Sequence, residues 1–396
     1  MLSERIRNMK PSMTVQLTDK LAELKRRGID VISLNIGEPD FDTPKNIKEA
    51  AKKALDGGFT KYTMVSGIYE LREGICEKLK KENNIDYTSD EVVVTFGAKQ
   101  ALTNSLLTLC DKGDEVILLT PCWVSYVEMV KLAEAKPVLI ETNEKKGFLP
   151  DIKKIEKAIT EKTKAILINT PNNPTGAVYP KKLLEKLAQL AVKYNFYIIS
   201  DEIYEKLVYD NAEHISIASL APEVKERTIT INGFSKAFAM TGWRLGYALG
   251  PKEVIEGMAA LQGHMTSGTN SIAQRGAVEA LLNSDAHIEY MVNKYNERRK
   301  YLLDRLNNIE LIECSDVKGA FYLFPDVSKL FGKRYKDEVI RNSIDVADLL
   351  LEEAYIAVVP GIAFEAPNNI RIAYSNSLDN IKEAMDRMEK VLLKIK

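Results

Sequence analysis

Seven short apolar, β-branched runs recur between residues 91 and 250: EVVVTF (91–96), EVILLT (115–120), PVLIET (137–142), KAILINT (164–170), FYIIS (196–200), TITIN (228–232) and RLGYALG (244–250). Amphipathic stretches separate several of them, such as KQALTNSLLTLC after the first and PKKLLEKLAQLAVKYN after the fourth. Near-continuous apolar strands cannot leave a face in water, so their alternation with helices predicts a mostly parallel sheet covered on both sides. The last two runs are joined by about eleven residues without a clear helix, which leaves room for an antiparallel pair.

After about residue 285 the texture changes. A charged helix, IEYMVNKYNERRKYLLDRLNN, leads through GAFYLFPDV, IAVVPGIAF and NIRIAYS to a closing helix. The first 45 residues carry one helix (about 14–27) and the irregular stretch ISLNIGEPDFDTP; they are too few to fold alone. The expected fold is therefore α/β. A large domain, residues 46–284, carries a mostly parallel seven-stranded sheet flanked by helices. Residues 1–45 and 285–396 form a smaller α+β domain, and the 396-residue length suits two such units.

Composition excludes several classes. Fifty-five basic and 56 acidic residues leave a net charge of −1, with no global field to hold nucleic acid. No apolar run reaches the ~18 residues of a membrane-spanning helix, and MLSERIRNMK has no secretory apolar core. Cys76, Cys110, Cys122 and Cys314 form no CxxC, and His214, His264 and His287 form no HExxH, so no metal is expected. Reduced thiols in a cytoplasmic protein are the default. No GxGxxG follows a first strand, which argues against a nicotinamide dehydrogenase.

The chemistry concentrates at strand ends. The segment TITINGFSKAFAMTGWRLGYALG (228–250) holds only two charged residues, Lys236 and Arg244, where the chain-wide 28% would give about six. A lysine among Gly, Ser, Ala and Phe loses hydration, which lowers its pKa and frees the neutral amine for Schiff-base chemistry. Asp201 follows FYIIS at the rim where open α/β sheets bind ligands, and a carboxylate there needs a cation. Tyr204 lies three residues on. TPNNPTG (170–176) offers the Asn173 amide, and FGAKQ (96–100) puts Gly97 and Ala98 before a helix, where backbone N–H groups and the dipole favour an anion. Taken singly, each is ordinary: a snorkelling lysine, an N-cap, a proline turn, small residues before a helix. Together with Arg244 as a second anion partner they suit an aromatic aldehyde that bears a phosphate and a basic ring nitrogen, pyridoxal 5′-phosphate.

The motifs GEPDF (37–41), YTMVSG (62–67), PCWVSY (121–126), NNPTG (172–176), SDEIY (200–204), SKAFAMTGWRLG (235–246) and NIRIAYS (370–376) resemble the fold-type I aminotransferases. The nearest resemblance is to the bacterial and archaeal aspartate aminotransferase subgroup, in order over nearly the whole chain. It implies that Lys236 holds the cofactor covalently and then, released, shuttles the substrate's Cα proton. It implies that Asp201 keeps the pyridine nitrogen protonated, that Tyr204 and Asn173 bond the ring's phenolic oxygen, and that Trp123 stacks on the ring. Ser235, Arg244 and the amides of Gly97 and Ala98 would hold the phosphate. Tyr62 would reach it from the partner subunit of a homodimer. Arg371 would grip the substrate α-carboxylate beneath the Gly37 backbone, with Trp123 and Asn173 also bordering the substrate.

Lys99 matches a lysine that faces a distal carboxylate, which points to aspartate and 2-oxoglutarate exchanged by a ping-pong cycle. Lys10 resembles a position associated with prephenate use. Aromatic, kynurenine or prephenate transamination and C–S lyase chemistry are the alternatives on the same scaffold. Gly233 departs from the pattern, because many members have a phosphate-binding serine there.

Overall fold

The computed structural model describes residues 2–7, 9 and 13–396, so Lys10 lies outside the described residues. The seven apolar runs form one sheet: β2 (Val92–Thr95), β3 (Glu115–Thr120), β4 (Lys136–Glu141), β5 (Thr163–Asn169), β6 (Tyr197–Asp201), β7 (Thr228–Gly233) and β8 (Gly246–Leu249), numbered after a short β1 (Ile32–Ser33). Their spatial order is β2-β8-β7-β6-β5-β3-β4. Only β8 runs against its neighbours, pairing antiparallel with both β7 and β2. The short link from β7 to β8 is why: it is a turn, with no room for a crossover helix. β8 is shorter than the RLGYALG run, because Arg244 (φ +55°) still belongs to the turn that enters the strand.

Four strands of this sheet, β2, β3, β7 and β8, are buried at every residue, as continuous apolar runs require. Helices cover the faces. Ala98–Leu109 presents Ala101, Leu102 and Leu106 inward, and Lys181–Tyr194 presents Leu184, Leu187, Ala188 and Ala191, each at the three-and-four spacing of a helical stripe. The second of these stops at Asn195 (φ +57°), a left-handed C-cap.

A separate core gathers around the C-terminal third. Met291, Tyr295, Leu302 and Leu306 of the helix Asp285–Asn307 pack with Ile381, Met385 and Met388 of the helix Leu378–Leu392. Full burial of such a side chain stabilises by about 1.5–3 kcal/mol. The strands here are short: β9 (Tyr322–Leu323), β10 (Arg334–Tyr335), β11 (Glu338–Val339), β12 (Ile356–Ala357), β13 (Val359–Pro360) and β14 (Ile370–Ala373). The order β13-β14-β9 makes an antiparallel three-stranded sheet. The N-terminal segment joins this core, with β1 paired parallel to β12 and Leu34 buried among its side chains. No helix among the described residues is long and apolar enough to cross a membrane.

Candidate active site

One rim of the seven-stranded sheet carries the chemistry, because parallel strands all deliver their C-terminal ends to the same side. β3, β5, β6 and β7 end there and are followed by Trp123, Asn173, Tyr204 and Lys236, while Asp201 is the last residue of β6. β8 enters at that rim, preceded by Arg244. These side chains border a cavity of ≈ 420 Å³, together with Gly37, Ala98, Lys99, Ser235 and Arg371. Gly97 and Tyr62 are the two expected residues not on its wall; Tyr62 is 97% exposed.

Lys236 projects from the turn after β7, and its ammonium donates to the Gly37 carbonyl at 2.5 Å. Nζ lies 6.0 Å from the Tyr204 ring centroid and 5.7 Å from that of Phe321. Desolvation in this setting brings its pKa down to about 8; Arg371 and Arg244 push the same way, against Glu38 and Asp201. Asp201 is 3% exposed. Burial raises its carboxyl to about 6, opposed by hydrogen bonds from Tyr126 Oη (2.6 Å) and the Ile203 amide (3.2 Å). Tyr126 also meets Trp123 edge-on, the two centroids 5.5 Å apart.

The anion end is set by backbone. Gly97 caps the helix Ala98–Leu109 at φ +79°, a conformation that favours glycine, and a Cβ there would come within 2.5 Å of Arg244 Nη2. The guanidinium is held against it by the carbonyls of Thr241 (2.9 Å) and Phe96 (3.3 Å). The Gly97 amide donates to the Thr95 carbonyl at 2.8 Å and the Gln100 amide to the Gly97 carbonyl at 3.1 Å, which leaves the Ala98 and Lys99 amides outside the helix's own ladder. Gly233 faces Gly246 across the β7–β8 pair, and a Cβ at Gly233 would sit 2.9 Å from the Gly246 Cα. A serine there would require the two strands to shift apart.

Arg371 reaches the cavity from β14, in the other core. It is 4% exposed and donates to Asn173 Oδ1 at 3.0 Å and to the Asn35 carbonyl at 2.7 Å, while its Nε has no partner. Lys99 lies 4.7 Å over the Trp123 ring, its pKa lowered by desolvation and by Arg244. Six polar wall residues escaped the sequence reading: Asn35, Glu38, Tyr126, Asn169, Thr241 and Tyr322. Tyr126 lay inside the PCWVSY motif and Glu38 inside GEPDF, but nothing in either motif gave the direction of the side chain.

Among the described residues, Glu202, Glu205 and His214 bring ligand-type atoms within 4.8 Å of one another. Glu202 already accepts from Ser200 (2.8 Å) and Ser216 (2.9 Å), and Glu205 is paired with the Lys78 ammonium. Both carboxylates are thus occupied by protein partners; His214 Nε2 meets Glu202 Oε2 at 3.1 Å, and its Nδ1 has no partner.

Residues 29–388 match the family described as aminotransferase class I and II; the chain belongs to that family and is a fold-type I aminotransferase that works with pyridoxal 5′-phosphate. It is 47% identical over 394 residues to the aspartate/prephenate aminotransferase of Thermus thermophilus, which covers 99% of this chain and 98% of that one. Its fold matches the aspartate aminotransferase of Thermus thermophilus solved with maleate at a TM-score of 0.93 and 46% identity, over 99% of both chains. The Rhizobium meliloti aspartate aminotransferase superposes at a TM-score of 0.97 with 39% identity, over the full length of each.

This chain's own residues fit that cofactor. Arg244 and the start of a helix offer an anion seat, Lys236 a low-pKa amine, and Asp201 a buried acid whose desolvation a cationic ring nitrogen would offset. The unpartnered Nε of Arg371 fits a carboxylate arriving beside it.

Proposed function

We propose that this aminotransferase exchanges the amino group of aspartate with 2-oxoglutarate by a ping-pong cycle, as a homodimer in the cytoplasm. The observation that carries the reading is a single cavity in which two cations, Arg371 and Lys99, share the wall with Lys236. A dicarboxylic amino acid would place its α-carboxylate on Arg371 and its distal one toward Lys99. Relatives named as aspartate/prephenate aminotransferases support the same substrate class and add prephenate as a second acceptor to test. The experiment is a product assay. Oxaloacetate and glutamate from aspartate and 2-oxoglutarate are expected, and pyruvate with ammonia would indicate a lyase instead.

In this reading the cofactor supplies a carbonyl that takes the amino group and a ring that accepts the electrons of the Cα–H bond. Lys236 would anchor it, and its Nζ, once released, would carry the proton taken from the substrate's Cα. Asp201, held by Tyr126 and the Ile203 amide, would keep the ring nitrogen protonated. Tyr204 and Asn173 would bond the ring oxygen and Trp123 would cover the ring; Ser235, Arg244 and the Ala98 amide would hold the phosphate, since the expected Gly97 amide is taken by the Thr95 carbonyl. The Gly37 backbone closes over the substrate. Tyr62 would complete the phosphate site of the partner subunit. The exposed apolar group of Tyr62, Met64, Tyr69 and Met265, each more than half exposed, supports a dimer face there. The sheet core drawn from residues 93–258 supports the division into residues 46–284 and residues 1–45 with 285–396. The two parts meet where Ile203, Tyr204 and Leu207 enter the C-terminal core and Phe324, Val359 and Phe364 pack with Ile117 and Leu119. Four free thiols support the cytoplasmic location.

The pKa of Lys236 gives a pH test. The neutral amine is the nucleophile, and its fraction grows as pH rises through about 8 rather than through the ordinary lysine value of 10.5. Uptake of pyridoxal phosphate by cofactor-free protein should therefore speed up from roughly pH 6.5 and level off near roughly pH 9. Stopped-flow absorbance checks this, and a rate still climbing tenfold per unit at roughly pH 10 would contradict it.

A further inference from the structure

We propose that Tyr322 is a positioning residue that couples carboxylate binding at Arg371 to the hydrogen bond made by Tyr204 inside the cavity. Nothing in the motif comparison assigns Tyr322 a role, and the proposal rests on the reading of the site given above. Tyr322 is 1% exposed and stands on β9, opposite Ala373 of β14. Arg371 lies two residues before Ala373 on the same face, so the phenol ring lies beneath the guanidinium, 4.5 Å from its Cζ. The Tyr322 hydroxyl lies 2.9 Å from that of Tyr204. It also lies against Gly37, where a Cβ would collide with it. One side chain thus touches the residue that faces the ring oxygen, the residue that grips the carboxylate, and the backbone that receives Lys236.

The rings of Phe321 and Tyr204 fix its position, with centroids 4.8 and 5.8 Å away. Burial raises both phenols and Arg371 pulls both back, yet Tyr204 stays well above its ordinary value. Either hydroxyl can donate in this pair; with the Tyr322 hydrogen on the Tyr204 oxygen, the Tyr204 hydrogen is free to point into the cavity. An accepted hydrogen bond strengthens the one a hydroxyl donates. A carboxylate arriving on Arg371 neutralises the charge over the Tyr322 ring, weakens the Tyr322 bond and so loosens the grip of Tyr204 on the ring oxygen. Substrate binding is thereby felt at the cofactor without any movement of the sheet.

The test is Tyr322→Phe, which keeps the packing ring and removes only the hydroxyl. Both proteins are loaded with pyridoxal phosphate, and their visible absorbance is titrated with pH with and without saturating succinate. In the unmutated protein succinate should displace the titration midpoint, and in Tyr322→Phe that displacement should fall by more than about half. The kcat for aspartate should drop about fivefold with KM changed less than about twofold. The affinity of the cofactor-free proteins for pyridoxal phosphate, read by Trp fluorescence, should agree within about twofold. Equal displacement in the two proteins removes this proposal alone. No response to succinate in the unmutated protein removes the dicarboxylate reading and this proposal with it.

Discussion

Lys236→Ala is expected to lower kcat with aspartate and 2-oxoglutarate by on the order of 10⁴ or more, since it deletes the covalent anchor and the proton shuttle together. Both tasks use the same Nζ, which desolvation holds near a pKa of about 8, so that at neutral pH an appreciable fraction is already the free base. The rest of the wall is unchanged by the substitution. Pyridoxal phosphate should still bind, held by Arg244, Ser235 and the helix start, but borohydride should no longer fix it to the chain. In the parent protein, reduction followed by peptide mapping should find the label on Lys236. Added methylamine should restore part of the lost rate to the variant, because a small amine fits the space the side chain leaves. A variant within about tenfold of the parent rate would remove Lys236 from both roles.

The second large effect is expected at Asp201. Asp201→Asn keeps the shape and removes the charge, and kcat should fall on the order of 10³ once the ring nitrogen loses its ionic partner. Stability should move the other way. Burial lifts the carboxyl from 3.8 to about 6, so the folded chain binds more protons than the unfolded chain between those values. The carboxylate therefore lowers the stability of the cofactor-free protein increasingly as pH rises through this window, and the full cost is present above about 6. At roughly pH 8, cofactor-free Asp201→Asn should melt no lower than the parent, despite losing most of its activity. A drop of more than about 5 °C would mean that Asp201 serves mainly to hold the fold.

Much of this was legible in the chain. The apolar runs gave the seven strands because a buried parallel sheet needs unbroken hydrophobicity, and Lys236, Asp201 and Arg371 stood out as charges set in apolar surroundings. The order of the strands was not legible: β8 inserts between β2 and β7 after a separation of some 150 residues, and nothing local encodes such a pairing. Tyr126 and Tyr322 were missed for a different reason. A buried tyrosine looks like any other core residue until the partner of its hydroxyl is known, and both partners, Asp201 and Tyr204, are distant in sequence. The C-terminal strands were legible only as apolar fragments, since two-residue strands carry no alternation to read. Tyr62 matched a motif, yet its surroundings in a single chain are solvent.

Arg371 and Tyr322 stand on paired strands of the C-terminal part, whereas Asp201 ends a strand of the large sheet and Lys236 and Trp123 follow two others. Neither half owns a complete workshop. A chimera that borrowed residues 320–396 from a cousin would inherit a different handle for the incoming acid while keeping the original tools for making and breaking bonds, so the seam between the two cores is a natural place to retune preference by recombination.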